Sequence, residues 1–298
     1  MLDFKEFSIK DKDKIQKYTF AANFNGCDLS VANLIVWKFY FSTQIAENEG
    51  FLFIRYRYDD KLYFMLPLGN GDLKKAINLI EENAEKEGKP FRLQGLTPPM
   101  CEKVKAVFPE KFEFISNRDY CDYIYLRDEL ATLSGKKFQP KRNHINNFLR
   151  TFPDYEFLKI TPEIIPQCID LERIWEKRNG NESVTRIAER KAITTALENF
   201  NELGLRGGAL KVNEKIVAFT YGTPINSTVF DIACEKADTE IIGAYAMINN
   251  LFAKQIPENF IYLNREEDLG IEGLRKAKLS YQPYEILPKY TAKIKDNR

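Results

Sequence analysis

Histidine is almost missing. The 298-residue chain holds one, His144, which all but excludes a zinc site built on histidines. Any Ser-His-Asp arrangement would have to use that one residue. Cysteine is sparse and unpatterned: Cys27, Cys101, Cys121, Cys168 and Cys234 form no C-x-x-C pair, and an odd count fits reduced thiols better than bridges. Net charge is missing too. Lys+Arg 44 against Asp+Glu 43 leaves +1, so no global basic field draws the chain to nucleic acid or anionic membrane. No apolar run approaches the roughly 18 residues of a membrane span. The N-terminus, MLDFKEFSIKDKDK, alternates charge and lacks the apolar stretch of a signal peptide, so the cytoplasm is the expected compartment. No Walker A lysine loop or Rossmann fingerprint is present. What is there, 44% apolar and 29% charged residues, predicts a soluble chain with enough core for two domains or one large one.

The order of elements is informative. In the first half, a strand at Phe4–Ser8 precedes a helix from Asp11 and a second helix, Val31–Val36, capped by Ser30. Strands follow at Phe39–Ala46, Phe51–Tyr58 and Leu62–Leu68, with a tight turn at Asp59-Asp60. Asp72 caps a helix over Leu73–Glu87; a strand at Phe91–Gln94, a helix from Pro98 and strands near Phe112–Ile115 and Tyr123–Leu126 complete the half. The aromatic run Trp37, Phe39, Tyr40, Phe41, with Tyr18, reads mostly as core. The second half repeats the order. Strand Glu156–Ile160 leads to a helix carrying Ile165, Ile169, Leu171 and Ile174 toward Trp175, then a helix from Thr185 to Glu202. Leu205–Val212, Lys215–Tyr221 and Thr228–Cys234 form a meander turning at Asn213-Glu214. A helix Gly243–Lys254, strand Phe260–Leu263, a short helix near Ile271–Lys278 and an extended Tyr284–Thr291 follow. One order met twice predicts two α+β domains, residues 1–130 and 131–298, and the meander rules out a doubly wound sheet.

This order resembles the GNAT N-acyltransferase fold in tandem. The stretches LSGKKFQPKRNHINNF (Leu133–Phe148), EKAD (Glu235–Asp238) and NREEDLGIEGLRKAKLSYQP (Asn264–Pro283) resemble the C-terminal domain of phosphatidylglycerol lysyltransferases, relatives of Fem-type peptidoglycan aminoacyltransferases. The resemblance implies two GNAT-like domains, each a mixed, mostly antiparallel sheet flanked by helices. It also implies transfer of an amino acid from aminoacyl-tRNA to a lipid or other amine- or hydroxyl-bearing acceptor. The membrane-spanning half of the lysyltransferase has no counterpart in these residues, so contact with the inner membrane would be peripheral and transient.

Residues 134–150 carry Lys136, Lys137, Lys141, Arg142 and Arg150 and no acid, with Pro140 suited to a first helical turn. On a helix at 139–150, Ile145, Phe148 and Leu149 share the face expected to be core, while Asn143, Asn146, Asn147 and Arg150 lie opposite. Asparagine costs a helix about half a kcal/mol against alanine, so three on one face suggest a polar contact. Lysine, arginine and amide groups suit phosphates and bases. The face is either a seat for a tRNA acceptor stem, with His144 beside it, or a solvated amphipathic surface. His144 is either a general base or a hydrogen-bonded, phosphate-facing side chain.

Asn264, Arg265, Glu266, Glu267 and Asp268 follow the strand Phe260–Leu263 directly. Carboxylates at a strand end can accept the proton of an attacking amine or hold its ammonium, which makes Glu267 and Asp268 catalytic candidates. Arg265, Asn264, Arg275 and Lys278 are candidates for binding substrate or an anion. Alternatively Asp268 caps the short helix. Glu235 ends the third meander strand and is a second candidate base; Lys236 is a candidate for a donor phosphate or the oxyanion.

Acetyl-CoA-dependent relatives carry Q/R-x-x-G-x-G/A before the next helix, where backbone amides hold the pyrophosphate. Here Glu240-Ile241-Ile242-Gly243-Ala244-Tyr245 keeps only the first glycine and places an acid where a cation or amide belongs. The first half offers Gly69-Asn70-Gly71, more in keeping with a turn than with a phosphate cradle. The expected donor is therefore aminoacyl-tRNA, with acyl-CoA as the alternative, and no metal or tightly bound cofactor, since an activated ester needs none. A third possibility is a non-catalytic RNA- or membrane-surface-binding module of the same fold.

Overall fold

The computed structural model describes residues 2–179 and 183–295. They form two compact α+β units. The first takes in described residues of 1–122, 267–271 and 286–298; the second those of 123–266 and 272–285.

In the first unit, α1 (Lys12–Ala22) and α2 (Val31–Phe41) come before any strand. Ser30 caps α2 as expected, accepting from Asn33 N–H. The helix does not stop at Val36. Trp37 meets Tyr40 and Phe41 at 6.1 and 6.2 Å between ring centroids, the i,i+3 and i,i+4 contacts a helix offers. These contacts override the β preference of an aromatic run, so the strand expected at Phe39–Ala46 begins only at Gln44. The strand expected at Phe4–Ser8 is reduced to one bridge, Lys5 to Ile45. Ser8 N–H donates to the Asp11 carboxylate at 2.9 Å and bends the chain into a turn. Then come β1 (Gln44–Asn48), β2 (Phe51–Tyr58), β3 (Lys61–Phe64), the short β4 (Leu68–Gly69), α3 (Leu73–Lys86), β5 (Arg92–Leu96), α4 (Pro98–Val107) and β6 (Phe112–Ser116). The sheet runs β1-β2-β3-β5, then the C-terminal strand Tyr290–Ile294, then β6, with β4 on β2. Asp59 and Asp60 both adopt left-handed φ, 50° and 54°, as a two-residue hairpin turn requires.

The second unit holds β7 (Asp122–Leu126), α5 (Arg127–Thr132), α6 (Gln139–Thr151), β8 (Glu156–Lys159), α7 (Ile165–Asn179) and α8 (Val184–Glu198). It continues with β9 (Arg206–Val212), β10 (Lys215–Pro224), β11 (Val229–Ala237), α9 (Ala244–Gln255), β12 (Tyr262–Asn264) and α10 (Glu272–Leu279). Its sheet follows β7-β12-β11-β10-β9-β8. The meander β9–β11 turns at Asn213-Glu214, again with left-handed φ, 48° and 61°. A division into residues 1–130 and 131–298 is what the element order predicts. The strands cross that line in both directions: β7 pairs in the second sheet and Tyr290–Ile294 in the first. Phe148 of α6 sits in a core with Leu210, Val217, Met247 and Ile248, and Ile145 packs at its margin. Leu149, expected beside them, is 37% exposed. On α7 the buried stripe is Cys168, Leu171 and Glu172, while Ile174 faces out.

Candidate active site

The site begins where two strands part. β11 and β12 run parallel and pair only over Val229–Asp231 and Tyr262–Asn264. Beyond Asp231, β11 continues to Ala237 with β10 as its partner. The register slips between Tyr221 and Thr223, a bulge of the kind that re-aims side chains beside active sites. A Cβ at Gly222 would lie 1.8 Å from the Asp231 carbonyl, so only glycine fits there. The open edge of β11 presents Glu235, and the chain leaving β12 presents Arg265.

These two meet. Arg265 Nη2 donates to Glu235 Oε1 at 2.9 Å, and Asn249 Nδ2 of α9 donates to Oε2, also at 2.9 Å. Both carboxylate oxygens are thus engaged. The guanidinium lies 4.7 Å from the Tyr281 ring centre and 5.3 Å from that of Tyr125, a stacked seat that suits arginine. Lys141 Nζ of α6 stands 3.8 Å from the centre of the Tyr281 ring. Lys278 of α10 donates to the Arg265 carbonyl, and Tyr125 Oη donates to the Lys278 carbonyl at 2.8 Å. Arg265 bonds Glu235, Lys141 lies near enough to feel both charges, and Lys278 braces the Arg265 backbone. Arg265 Nη1 is buried and has no hydrogen-bond partner, a costly state for a charged donor. Burial lowers the Arg265 pKa, but Glu235 and the phenols of Tyr125 and Tyr281 outweigh it and hold the group charged. Lys141 has no such carboxylate clamp. Burial, then the Arg265 charge, lower its pKa to about 8 against the pull of Glu235. The arrangement can accept an anion, or an oxygen that becomes one.

The structure thus gathers Glu235, Arg265, Lys278 and Lys141 from the residues singled out by sequence. Asn264 is buried next to them, its Oδ1 accepting from Glu266 N–H at 2.8 Å, and Arg275 lies on α10 before Lys278. The remaining basic residues of 134–150 do other things. Arg142 turns back to the carbonyls of Leu133 and Gly135. Lys137 pairs with Glu129 at 2.6 Å, and Arg150 donates to Asn147 at 2.8 Å. Lys136 and His144 are exposed. The His144 carbonyl lies 2.4 Å from where a Cβ of Gly243 would stand, so α6 covers the first turn of α9. In the first unit, a Cβ on Gly69 would lie 2.2 Å from the Gly50 carbonyl. No side chain would fit there.

Glu267 and Asp268 belong to the first unit, while Asn264, Arg265 and Glu235 belong to the second. Asp268 is fully buried; it accepts from Arg118 at 3.2 Å and from Gly270 N–H at 2.9 Å. The second bond closes a turn over residues 268–270, whereas the alternative that sequence offered was a cap on the short helix, which begins at Glu272. Glu267 is held by Lys289, whose ammonium also lies 2.8 Å from Asp28 and 2.9 Å from Asp122. Donor atoms of Cys27, Asp122 and Glu267 come within 4.8 Å of one another. Lys289 serves as their cation: burial lowers its pKa, but Asp122, Asp28, Cys27 and Glu267 raise it well above the usual range. All five cysteines are unpaired and buried.

Lys236 follows Glu235 on β11 and so points to the opposite face of the sheet. It lies 3.6 Å from the Trp175 ring centre, 2.8 Å from Glu189 and 3.6 Å from Glu172. Glu172 was not anticipated. Its position, one helical turn after the buried Cys168, is the available signal: an acid on the apolar stripe of α7. Burial raises its pKa to about 7, partly opposed by Lys236. Tyr125, Tyr281 and Asn249 were not anticipated either, because each joins the site through contacts distant in sequence.

Comparison with known proteins agrees with this architecture. The family described as phosphatidylglycerol lysyltransferase, C-terminal, matches residues 20–293. A conserved protein of unknown function from Bacteroides thetaiotaomicron is 52% identical, with 99% of this chain and 100% of that one covered and a TM-score of 0.96. L-PGS from Bacillus licheniformis shares the fold at 17% identity, covering 99% of this chain and 95% of that one, with a TM-score of 0.66. A curated relative, the uncharacterised protein MYCGA3080 of Mycoplasmoides gallisepticum, is 26% identical over 204 residues, 68% of this chain; the match spans 64% of the relative's own length. The tandem GNAT-like α+β architecture expected from the element order is the architecture found.

Proposed function

Because this chain belongs to the phosphatidylglycerol lysyltransferase C-terminal family, we propose that it is an aminoacyltransferase working at the open edge of β11. The donor is aminoacyl-tRNA. The acceptor is an amine or hydroxyl, on a lipid or a small molecule. The observation that carries this reading is the buried, unpartnered Arg265 Nη1 among Lys141, Lys278 and the Glu235 clamp. A donor fixed in that position suits the ester carbonyl oxygen of the donor, which gains negative charge as the acceptor attacks. Glu235 and Asn249 hold the guanidinium in place, so Glu235 acts by positioning Arg265. The exposed Lys136, His144 and Arg150 are available to tRNA phosphates.

The donor argument favours tRNA over acyl-CoA. Glu240 stands where a CoA-binding turn would carry a cation or amide, and α6 packs on Gly243 through the His144 carbonyl and Phe148. No described helix is long and apolar enough to cross a membrane. The test is direct. Purified protein is incubated with total bacterial tRNA charged with labelled amino acids and an extract of lipids and small amines. Protein-dependent movement of label from one charged species to a new product supports the reading and identifies donor and acceptor. No discharge above the spontaneous rate, with stabilisation by acyl-CoA instead, would replace it with the CoA alternative.

A further inference from the structure

Acyl transfer needs a proton acceptor, and the two oxygens of Glu235 are already taken by Arg265 and Asn249. Each oxygen already accepts from a fixed donor, which suits Glu235 to holding Arg265 in place. Resting on the reading above, we infer that Lys141 is the general base, its uncharged amine taking the proton from the attacking acceptor. The geometry differs from that of the other lysines nearby. Lys236 is clamped by Glu189 and Glu172, and Lys278 is held by the Arg265 carbonyl. Lys141 reaches the same cluster from α6 and touches the Tyr281 ring, with no carboxylate at ion-pair distance among the described residues.

The charged and titratable groups that face it are Arg265 beyond β12, Glu235 on β11 and Tyr281 after α10. Burial and Arg265 disfavour its cation. Glu235 and the ring face favour it, and the balance leaves its pKa at about 8. Near neutrality a useful fraction of the amine is uncharged, as a general base requires.

The step balances as follows. The acceptor nitrogen or oxygen bonds to the ester carbon while its proton passes to Lys141 Nζ. The carbon–oxygen bond to the terminal ribose then breaks, and the Lys141 ammonium returns the proton to the leaving ribose oxygen. Arg265 holds the oxyanion between the two events.

The experiment follows discharge of charged tRNA with the full chain across pH 6–9.5, corrected for spontaneous hydrolysis. The wild-type rate should rise through about pH 8 and then level off. Lys141→Arg keeps the positive charge and cannot lose it, so the rate should fall by roughly 100-fold or more. Lys141→Ala should be partly restored by a tertiary amine, which takes a proton but forms no amide. Melting curves establish that the variants fold. Wild-type turnover with an unchanged rate in Lys141→Arg, or no limb near pH 8, would overturn the inference alone. Lack of discharge by the wild type would overturn the proposed function, and the inference with it.

Discussion

Glu172→Gln should make the second unit more stable, and by an amount that depends on pH. Glu172 is 3% exposed and carries its proton up to about pH 7 because burial penalises its charge. In the unfolded chain the group ionises near its ordinary 4.5. Below 4.5 both states are protonated and the residue costs nothing. Between 4.5 and about 7 only the unfolded chain gives up its proton, so stability falls as pH rises. Above about 7 the penalty is complete, at about 3 kcal/mol. Glutamine never ionises and never incurs it. Attraction to Lys236 arises only as Glu172 ionises and is already contained in that pKa. Any packing change adds a nearly constant offset. The pH slope is therefore the cleaner measure: between pH 5 and 8 the variant should gain about 2.5 kcal/mol on the wild type. The chain has two tryptophans, Trp37 and Trp175, and Trp175 lies against Lys236 at 3.6 Å. With Trp37→Phe in both proteins, urea unfolding followed by Trp175 fluorescence reads this site locally. Parallel stability curves across pH would refute the argument and show that Glu172 is ionised in the folded protein.

Lys289→Met should destabilise the first unit by about 3–5 kcal/mol, since Asp28, Asp122 and Glu267 lose their shared cation. Urea melts followed by Trp37 fluorescence with Trp175→Phe should show that deficit directly. Gly243→Ala combines a φ of +91° with a contact of 2.4 Å to the His144 carbonyl. A loss of about 1–3 kcal/mol in denaturant unfolding is expected. Arg265→Lys retains charge but loses the planar group stacked on Tyr281 and the free Nη1 donor, so tRNA discharge should drop by about 100-fold in variant protein that melting curves show to be folded.

Local chemistry was legible wherever neighbours in sequence decide structure. Asp72 caps α3 by accepting from Lys75 N–H at 3.0 Å, and the hairpins at Asp59-Asp60 and Asn213-Glu214 turn where acids and asparagine tolerate left-handed φ. Arg265 and Glu235 could be nominated because charged residues at strand ends stand out, and Lys278 because it follows them on a short helix. Their assembly could not be read, since Tyr125, Lys141, Asn249 and Tyr281 arrive from four separate elements. The run Asn264–Asp268 looks like one cluster in sequence but is shared between two units, because Asp268 is drawn to Arg118 and Glu267 to Lys289. The α2 boundary was misread for a related reason. Aromatic residues favour strands on average, yet here their ring contacts suit a helix.

The strand Tyr290–Ile294 lies between β5 and β6, and this has a consequence for translation. The ribosome delivers β5 and β6 long before their common neighbour. At about 5–20 residues per second, the segment from Ser116 to Tyr290 takes roughly 10–35 s to make. Throughout that interval β5 keeps an unpaired edge and β6 lacks the strand that joins it to the sheet, the state most open to pairing with another chain. Ribosome-associated chaperones should therefore bind this polypeptide most heavily between those two points of elongation, and release it once residues 290–294 emerge.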